Sequence, residues 1–243
     1  MSVFVLGDPH GAYKALLQVM ERSKFDTEKD TLIVLGDVVD GWSQVFECIQ
    51  YLAKIPNIIL IAGNHDEWAI DYLKRGARPN IWLSQGGQAT LDSFMPLTED
   101  EKKEVYKFFV KRVPFYIDDK KRVFVHGGLN PFIPIEEQDK NEVMWDRDLI
   151  LKAKMIETNK INLPKHTDKY EKKLGDIYDE IYIGHTSTWS WSKVPYHACN
   201  VWCLDQGAGW YGKLSIMNID TKEFWQSDCV QDLYPDEFGR RGY

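Results

Sequence analysis

Six short, nearly continuous apolar runs recur along the chain, and they limit its fold more than any other feature of the sequence. They are rich in Val and Ile, which is typical of β-strands that are covered on both faces. The runs are VFVLGD (3–8), TLIVLGD (31–37), NIILIAGNHD (57–66), RVFVHGG (122–128), EIYIGHT (180–186) and VWCLDQGA (201–208). Strands of this kind must lie in sheets that other layers cover.

Amphipathic stretches lie between the runs and predict helices at 13–22, 43–54, 66–75 and 98–112. The last stretch begins with a capping box, Thr98 with Glu101. Hairpin turns are predicted at 118–121 and around 220–222. We therefore predict a mixed α/β (α+β) fold, a layered β-sandwich with flanking helices, in a single domain over residues 1–243. Residues 151–174 contain seven lysines and three acidic residues, which fits either a basic cap inserted over the site or a solvated helical face.

Five of the apolar runs end in a loop that carries Asp, Asn or His. Ligands of open α/β sheets collect beyond the carboxyl ends of the strands, so these side chains are expected to meet at one edge. Carboxylate oxygens and imidazole nitrogens suit divalent manganese, iron, zinc or cobalt. So many ligands exceed the needs of one tetrahedral ion and suit two ions ~3.5–4 Å apart that share a carboxylate. The residues are Asp8, His10, Asp37, Asp40, Asn64, His65, His126 and His185.

Composition narrows the choice of partners and compartment. The net charge of −7 argues against stable binding to nucleic acid or to an anionic membrane surface. The sequence shows neither a secretory signal nor an apolar run near the ~18 residues of a membrane span. Four cysteines are too few for a disulfide scaffold, so we expect reduced thiols in a cytoplasmic protein.

The polar loops also carry recognisable motifs. GDPHG, GDVVDG, GNHD, HGG and GHT, in this order over residues 6–186, resemble the motifs of the calcineurin-like metallophosphoesterases. Within that superfamily the chain is most similar to the serine/threonine protein phosphatase group, which includes the bacteriophage lambda phosphatase and bacterial relatives. The stretch LDQGAGWYGKLSIMNID (204–220) also resembles the hairpin that follows the last histidine of the family. The resemblance implies a phosphoester hydrolase with two divalent metal ions.

Carried over motif by motif, the resemblance implies a role for each polar residue. His65 would be the general acid that protonates the leaving oxygen, and Asp40 would orient it. A water between the two cations would become hydroxide near neutral pH and attack phosphorus, since metal-bound water reaches a pKa of ~7. The metals expected first are two manganese ions, with iron, zinc, cobalt and nickel as alternatives. The metal ligands would be Asp8 and His10 for the first ion, Asn64, His126 and His185 for the second, and Asp37 for both.

Four positions depart from the phosphatase pattern. The group usually has Arg-Gly after the second aspartate of the bridging motif, where this chain has Gly41-Trp42. It usually has arginine before GNH, where this chain has Ala62, and glutamate at the fourth position of that motif, where this chain has Asp66. Two of the usual phosphate-binding arginines are therefore missing, which predicts weaker discrimination between monoesters and diesters.

One candidate arginine is left by this comparison. Arg147, within MWDRDLI (144–150), matches a stretch that carries a phosphate-contacting arginine in the lambda-type enzymes. The alternative is a surface arginine paired with Asp146 or Asp148. Tryptophans are also candidates for a substrate wall, although core packing is the default for each of them: Trp42, Trp189, Trp191 and Trp210.

Three functions remain open at this point. The first is a phosphatase acting on phosphoserine or phosphothreonine, and its substrate would be a phosphorylated protein or a small phosphoester. The second is a hydrolase of dinucleoside polyphosphates such as diadenosine tetraphosphate, or a phosphodiesterase. Asp66, the missing arginines and the tryptophans favour the second, whereas Asp40 favours the first. The third, which the intact ligand set disfavours, is a catalytically silent module that binds metal and phosphate.

Overall fold

The computed structural model describes residues 1–158 and 174–241 and contains two five-stranded mixed sheets flanked by helices. The first sheet has the order β10-β9-β1-β2-β3 and the second the order β4-β5-β6-β8-β7. Strands β1, β2 and β3 are parallel, as are β5, β6 and β8. The strands are β1 (Val3–Leu6), β2 (Thr31–Val34), β3 (Ile58–Leu60), β4 (Phe115–Ile117), β5 (Arg122–Val125), β6 (Glu180–Ile183), β7 (Tyr196–Ala198), β8 (Val201–Cys203), β9 (Ser215–Asn218) and β10 (Phe224–Gln226).

Along the chain, helices follow each parallel strand of the first sheet, and helices also lie between β5 and β6 of the second sheet. A π-helical turn, Leu83–Gly87, connects the fourth helix to the fifth, and short 3₁₀ turns occur at Ile135–Glu137 and Gly239–Arg241. The α-helices are α1 (Tyr13–Ser23), α2 (Val45–Leu52), α3 (Asn64–Arg75), α4 (Asn80–Trp82), α5 (Gln88–Phe94), α6 (Glu99–Val110), α7 (Lys140–Trp145), α8 (Asp148–Thr158) and α9 (Val230–Leu233).

Side-chain alternation in the strands produces three apolar layers. Val5 and Ile33 of the first sheet lie in the same buried cluster as Phe124 and Tyr182 of the second, whose rings stack 4.9 Å apart. The opposite face of the first sheet packs against α1, α2, α3, α5 and α6. The opposite face of the second sheet packs against α8. The central strands of both sheets are therefore covered on both faces, and the predicted layered sandwich is confirmed.

The predicted helices and hairpins are present, with one shift that matters for function. The capping box forms: Glu101 N donates to Thr98 Oγ1, and Thr98 N donates to Glu101 Oε2 at 2.8 Å. Helix α3 begins at Asn64, two residues before the predicted start at Asp66. Its first turn consequently holds two of the candidate site residues. Strand β7 and the helices α4, α5, α7 and α9 were not predicted from the sequence, and α8 was predicted only in part, by the helical alternative for residues 151–174.

Only part of the lysine-rich segment 151–174 falls within the described residues. Residues 151–158 form the end of α8, whose Ala153 and Ile156 are buried in the cluster beneath the second sheet. Residues 159–173 lie outside the described residues, so the cap over the site stays a prediction. Within the described part of the chain, none of the helices combines the length and the apolar character needed to span a bilayer.

Trp42 belongs to the hydrophobic core, in agreement with the default expectation for these tryptophans, and it is not part of a substrate wall. The side chain is fully buried, its Nε1 donates to Ala208 O at 2.7 Å, and its ring stacks on Tyr234 at 5.1 Å. Trp191 lies against Tyr196, on the side of the second sheet. The complete burial of Trp42 and its satisfied indole N–H indicate a structural role for this side chain.

We expect Trp42→Ala to lower the free energy of unfolding by about 3–5 kcal/mol, because it removes a large buried side chain and leaves a cavity. Urea unfolding of the metal-free protein measures this change. Trp189→Ala is the matched control: Trp189 is only half-buried, so its loss should cost less than half as much. Unchanged stability combined with a raised KM would instead assign Trp42 to substrate binding.

Candidate metal centre and active site

The candidate site lies where the loops after five parallel strands meet. Strands β1, β2 and β3 lead into these loops from the first sheet, and β5 and β6 lead into them from the second. Hydrogen bonds join the loops across the two sheets: His185 N donates to Asp8 Oδ2 at 2.8 Å, and His126 Nδ1 donates to Leu35 O at 2.6 Å. The edge predicted from the sequence is therefore shared by both sheets.

The backbone at this edge is strained. His10, Asp37, Asp40 and His185 have φ values of +47°, +48°, +71° and +61°, in the left-handed region that residues other than glycine seldom adopt. Such conformations persist where the surroundings enforce them, and they cluster at functional sites. The chain turns sharply at His10, so Asp8 and His10 reach the centre from a turn and not from an extended segment.

The structure brings all six predicted metal ligands together in two groups that share Asp37. Asp8, His10 and Asp37 offer ligand atoms within 4.8 Å of one another, and so do Asp37, His126 and His185. The two oxygens of Asp37 face different groups: Oδ2 lies 3.8 Å from His10 Nε2, and Oδ1 lies 3.3 Å from His126 Nε2. Asn64 Oδ1 lies 3.0 Å from the same His126 nitrogen.

The donor set fits divalent cations. His10 and His126 each use Nδ1 on a backbone carbonyl, of Val39 and Leu35 respectively, which directs Nε2 to the centre as metal-ligating histidines require. Asp8 Oδ1 and His185 Nε2 are buried and have no hydrogen-bond partner among the described residues. Burying such atoms is costly unless a cation or a donor satisfies them. Oxygen and imidazole ligands in this arrangement suit Mn, Fe, Zn or Co.

The pKa shifts of the buried carboxylates and imidazoles show that the centre favours positive charge. Burial raises the pKa of Asp8, and the Asp205 carboxylate raises it further. Burial also opposes ionisation of Asp37, yet His126 and His65 hold its pKa well below the ordinary value. Burial lowers the pKa of His126, but the Asp37 carboxylate outweighs this effect and raises it to about 9. A proton on His126 thus supplies the charge that a cation would supply, and metal binding would displace it.

Asp40 holds His65 in a fixed orientation. His65 Nδ1 lies 2.5 Å from Asp40 Oδ2, and both side chains are buried. Thr90 Oγ1 donates to Asp40 Oδ1 at 2.6 Å, and Trp82 Nε1 donates to Asp40 Oδ2 at 2.8 Å. His65 Nε2 then lies 4.0 Å from Asp37 Oδ2. Asp40 therefore fixes one ring nitrogen of His65 and leaves the other directed at the centre.

Arg147 lies at the exposed rim of the centre. Its Nη1 donates to His185 O at 3.1 Å, which places a guanidinium beside a candidate ligand of the second group. Two aromatic rings stand next to it. Trp68 lies 5.0 Å from His65 and 5.6 Å from Trp145, and Trp145 lies 5.8 Å from His185 and is 43% exposed. These two rings form an aromatic wall beside the centre, and neither of them is among the four tryptophans that were candidates for it.

The sequence motifs did not predict every residue of the site. Some residues belong to no motif, and one belongs to a motif but has a role that the motif did not predict. Trp82 and Thr90 come from α4 and α5, far along the chain from Asp40, and Asp205 follows β8. Asp66 is fully buried, and its Oδ1 accepts from Val38 N at 2.9 Å. Its Oδ1 thereby fixes the loop that carries Asp37, which gives Asp66 a structural role in the site.

Comparison with known proteins agrees with this geometry. A family model described as calcineurin-like phosphoesterase matches residues 1–203, and the chain belongs to this family. The predicted resemblance is confirmed, and the protein is a hydrolase that acts on phosphoric esters.

The curated relatives carry two different names. Serine/threonine-protein phosphatase 2 of Salmonella typhimurium is 30% identical over 223 residues, covering 89% of this chain and 92% of the relative. The symmetrical bis(5'-nucleosyl)-tetraphosphatase of Pseudomonas fluorescens is 22% identical over 289 residues, covering 96% of each chain. A crystal structure of a proposed diadenosine tetraphosphatase has a TM-score of 0.65 at 20% identity, covering 92% of this chain and 91% of that one. This structural likeness supports the fold.

We expect the purified protein to hold about two divalent ions per chain, because two ligand groups share Asp37. Asp37→Asn removes the shared charge and should lower the metal content and abolish activity while the chain stays folded. Elemental analysis and circular dichroism measure these two effects. Asp92→Asn, on the exposed face of α5, is the matched control and should keep the wild-type metal content. Wild-type metal content in Asp37→Asn would contradict the shared-ligand assignment.

Proposed function

We propose that the protein is a dimetal phosphoester hydrolase of the serine/threonine protein phosphatase type, acting on phosphorylated proteins or small phosphomonoesters. One observation carries this proposal: a buried Asp40–His65 pair directs an imidazole nitrogen at a centre whose two ligand groups share Asp37. The pair supplies a proton donor and the centre supplies cation sites, which are the two requirements for displacing a poor leaving group from phosphorus.

Six side chains would hold the cations, Asp8, His10, Asp37, Asn64, His126 and His185. When bound, two divalent ions would activate a water molecule and neutralise the phosphoryl oxygens. We propose manganese first, and iron, zinc, cobalt or nickel also suit the oxygen and imidazole donors. Because the acid and all six ligand side chains are present together, a catalytically silent module has the least support.

His65 would deliver a proton from Nε2 to the leaving oxygen. Its Nδ1 is held by Asp40, which Trp82 and Thr90 fix in turn by hydrogen bonds. Asp40 is a positioning residue, because it acts through His65 and does not face the centre itself. At the rim, Arg147 would bind a phosphoryl oxygen, since guanidinium groups match phosphate geometry.

Dinucleoside polyphosphate hydrolysis is the second candidate, and the Trp68–Trp145 wall favours it. A half-exposed indole beside the centre offers a nucleobase a surface on which to stack. The tetraphosphatase name of the Pseudomonas fluorescens relative agrees with this function. The higher identity to serine/threonine-protein phosphatase 2 over similar coverage, together with the Asp40–His65 pair, favours the first candidate.

We expect His65→Asn to keep the wild-type metal content and to lower kcat by roughly 10²–10⁴ for alkyl phosphates, the usual loss of a general acid. The loss should be smaller for nitrophenyl phosphate, because nitrophenolate leaves without protonation. Steady-state kinetics on both substrate types, with elemental analysis of the variant, measure this difference. Equal losses for the two leaving groups would contradict the assignment of His65 as the acid.

Substrate preference separates the two candidates. We expect kcat/KM for a phosphothreonine peptide to exceed that for diadenosine tetraphosphate and bis-nitrophenyl phosphate. If nucleobases stack on the wall, Trp145→Ala should lower kcat/KM for diadenosine tetraphosphate about tenfold, since base stacking contributes ~1–3 kcal/mol. Phe224→Ala, an exposed aromatic residue on β10, is the matched control. A preference for diadenosine tetraphosphate that is lost in Trp145→Ala would replace the first candidate with the second.

A further inference from the structure

A second arginine enters the centre from the far end of the described chain. Arg240 follows Gly239 on a short turn whose backbone is fixed to the loop after β8, because Arg240 N donates to Gly209 O at 2.8 Å. Its guanidinium reaches the opposite side of the centre from Arg147: Nη1 lies 3.5 Å from His10 Nε2, whereas Arg147 contacts His185 O. The two arginines therefore flank different metal-ligand groups.

Three glycines make room for this one side chain. A Cβ atom at Gly41 or at Gly86 would lie 3.1 Å from Arg240 Cγ, and a Cβ at Gly209 would lie 2.8 Å from Arg240 Cδ. Gly41 and Gly86 also have φ values of +92° and +95°, which side chains rarely tolerate. The stem of Arg240 thus runs through a passage that larger residues at these positions would close.

Hydrogen bonds to Gln85 hold the guanidinium in this passage and use only some of its N–H donors. Arg240 Nε donates to Gln85 O at 3.3 Å and Nη2 donates to Gln85 Oε1 at 2.9 Å. Gln85 departs from helical geometry inside the π-helical turn, which presents both of its oxygens to the arginine. The Trp210 ring lies 4.4 Å from the guanidinium carbon, a cation–π contact. A guanidinium has five N–H donors, so the Gln85 contacts leave donors on Nη1 and Nη2 for a ligand.

The charged guanidinium of Arg240 interacts electrostatically with the aspartates of the centre. Burial lowers the pKa of the guanidinium, and the carboxylates of Asp37 and Asp205 oppose that effect. Arginine nevertheless stays charged at neutral pH. The acceptor now nearest Nη1 is His10 Nε2, which is also a candidate metal-ligating atom. With a cation on that nitrogen its lone pair is occupied, and Nη1 needs a different acceptor.

We infer that Arg240 is a phosphate-binding residue, which contacts the phosphoryl group of the substrate from the His10 side while Arg147 contacts it from the His185 side. This inference rests on the proposed function, because it needs a phosphoester in the centre. It also raises the number of candidate phosphate-binding arginines from one, Arg147, to two. Gly41 stands where the phosphatase group usually has arginine, and the stem of Arg240 runs directly beside it. The weak discrimination predicted from the missing arginines is therefore not expected.

Binding of inorganic phosphate to the metal-loaded protein tests this inference without turnover. Isothermal titration calorimetry gives the Kd for wild type, Arg240→Met, Arg240→Lys and Arg241→Met. Methionine keeps an unbranched stem in the glycine passage and removes the guanidinium. Arg241 is the matched control, because it is the next residue and its guanidinium lies over Tyr211 at 3.4 Å. Elemental analysis and the Tm of each variant are measured in parallel.

We expect Arg240→Met to raise the phosphate Kd about 10–100-fold, the effect of losing charge-assisted hydrogen bonds. Arg240→Lys keeps the charge without the planar fork and should show a smaller rise. Arg241→Met should bind phosphate like the wild type, and all variants should keep the wild-type metal content. If Arg240→Met does not fold, Arg240→Lys carries the test.

Two results would overturn the assignment of Arg240 alone. The first is a wild-type Kd in Arg240→Met, or in Arg240→Lys where only that variant folds. The second is a joint loss of metal and phosphate, which would make Arg240 a support for His10. A wild-type protein that holds its metals and binds no phosphate would instead overturn the proposed function, so the two failures are distinguishable.

Discussion

The structure depends on the concentration of negative charge around Asp37. Five buried aspartates surround the centre, each with at most 2% of its surface exposed: Asp8, Asp37, Asp40, Asp66 and Asp205. Burial of so many carboxylates is tolerated only when cations, hydrogen bonds or shared protons compensate them. Four of them have identifiable partners: Asp40 has Thr90 and Trp82, Asp66 and Asp205 have backbone N–H groups, and Asp37 has imidazoles on both sides. Asp8 keeps one buried oxygen without a hydrogen-bond partner among the described residues. The groups that compensate these buried carboxylates are therefore also needed for the loops of the site to pack together.

The same contacts join the two sheets of the sandwich. The backbone N–H of His185, which follows a strand of the second sheet, donates to the Asp8 carboxylate of the first, and the His126 ring donates to the backbone carbonyl of Leu35. A substitution that releases either contact would alter both the metal ligands and the seam between the sheets. This coupling explains why four of the site residues hold positive φ values: the packing of two sheets enforces a backbone that an isolated loop would not adopt.

The rim of the centre has two sides of different chemistry. Arg147, Trp145 and Trp68 form one side, where a charged group and aromatic surfaces stand together. Arg240 and Trp210 form the other, where the guanidinium is held by Gln85 between glycines. The two proposed phosphate contacts therefore lie on opposite sides of the centre, and the exposed aromatic surface lies on the Trp145 side.

The sequence by itself determined the strands other than β7, the order of the polar loops and the candidate metal ligands that meet at the sheet edge. Continuous apolar runs and local motifs carry that information, because a strand and the loop that follows it are neighbours in the chain. Only the tertiary structure decided that Trp42 is a core residue, that Asp66 supports the Asp37 loop, and that Trp145 faces the centre. It alone also brought Arg240 to His10, at a sequence separation of 230 residues. Such contacts depend on packing between distant segments, and no local pattern in the chain records which segments pack together.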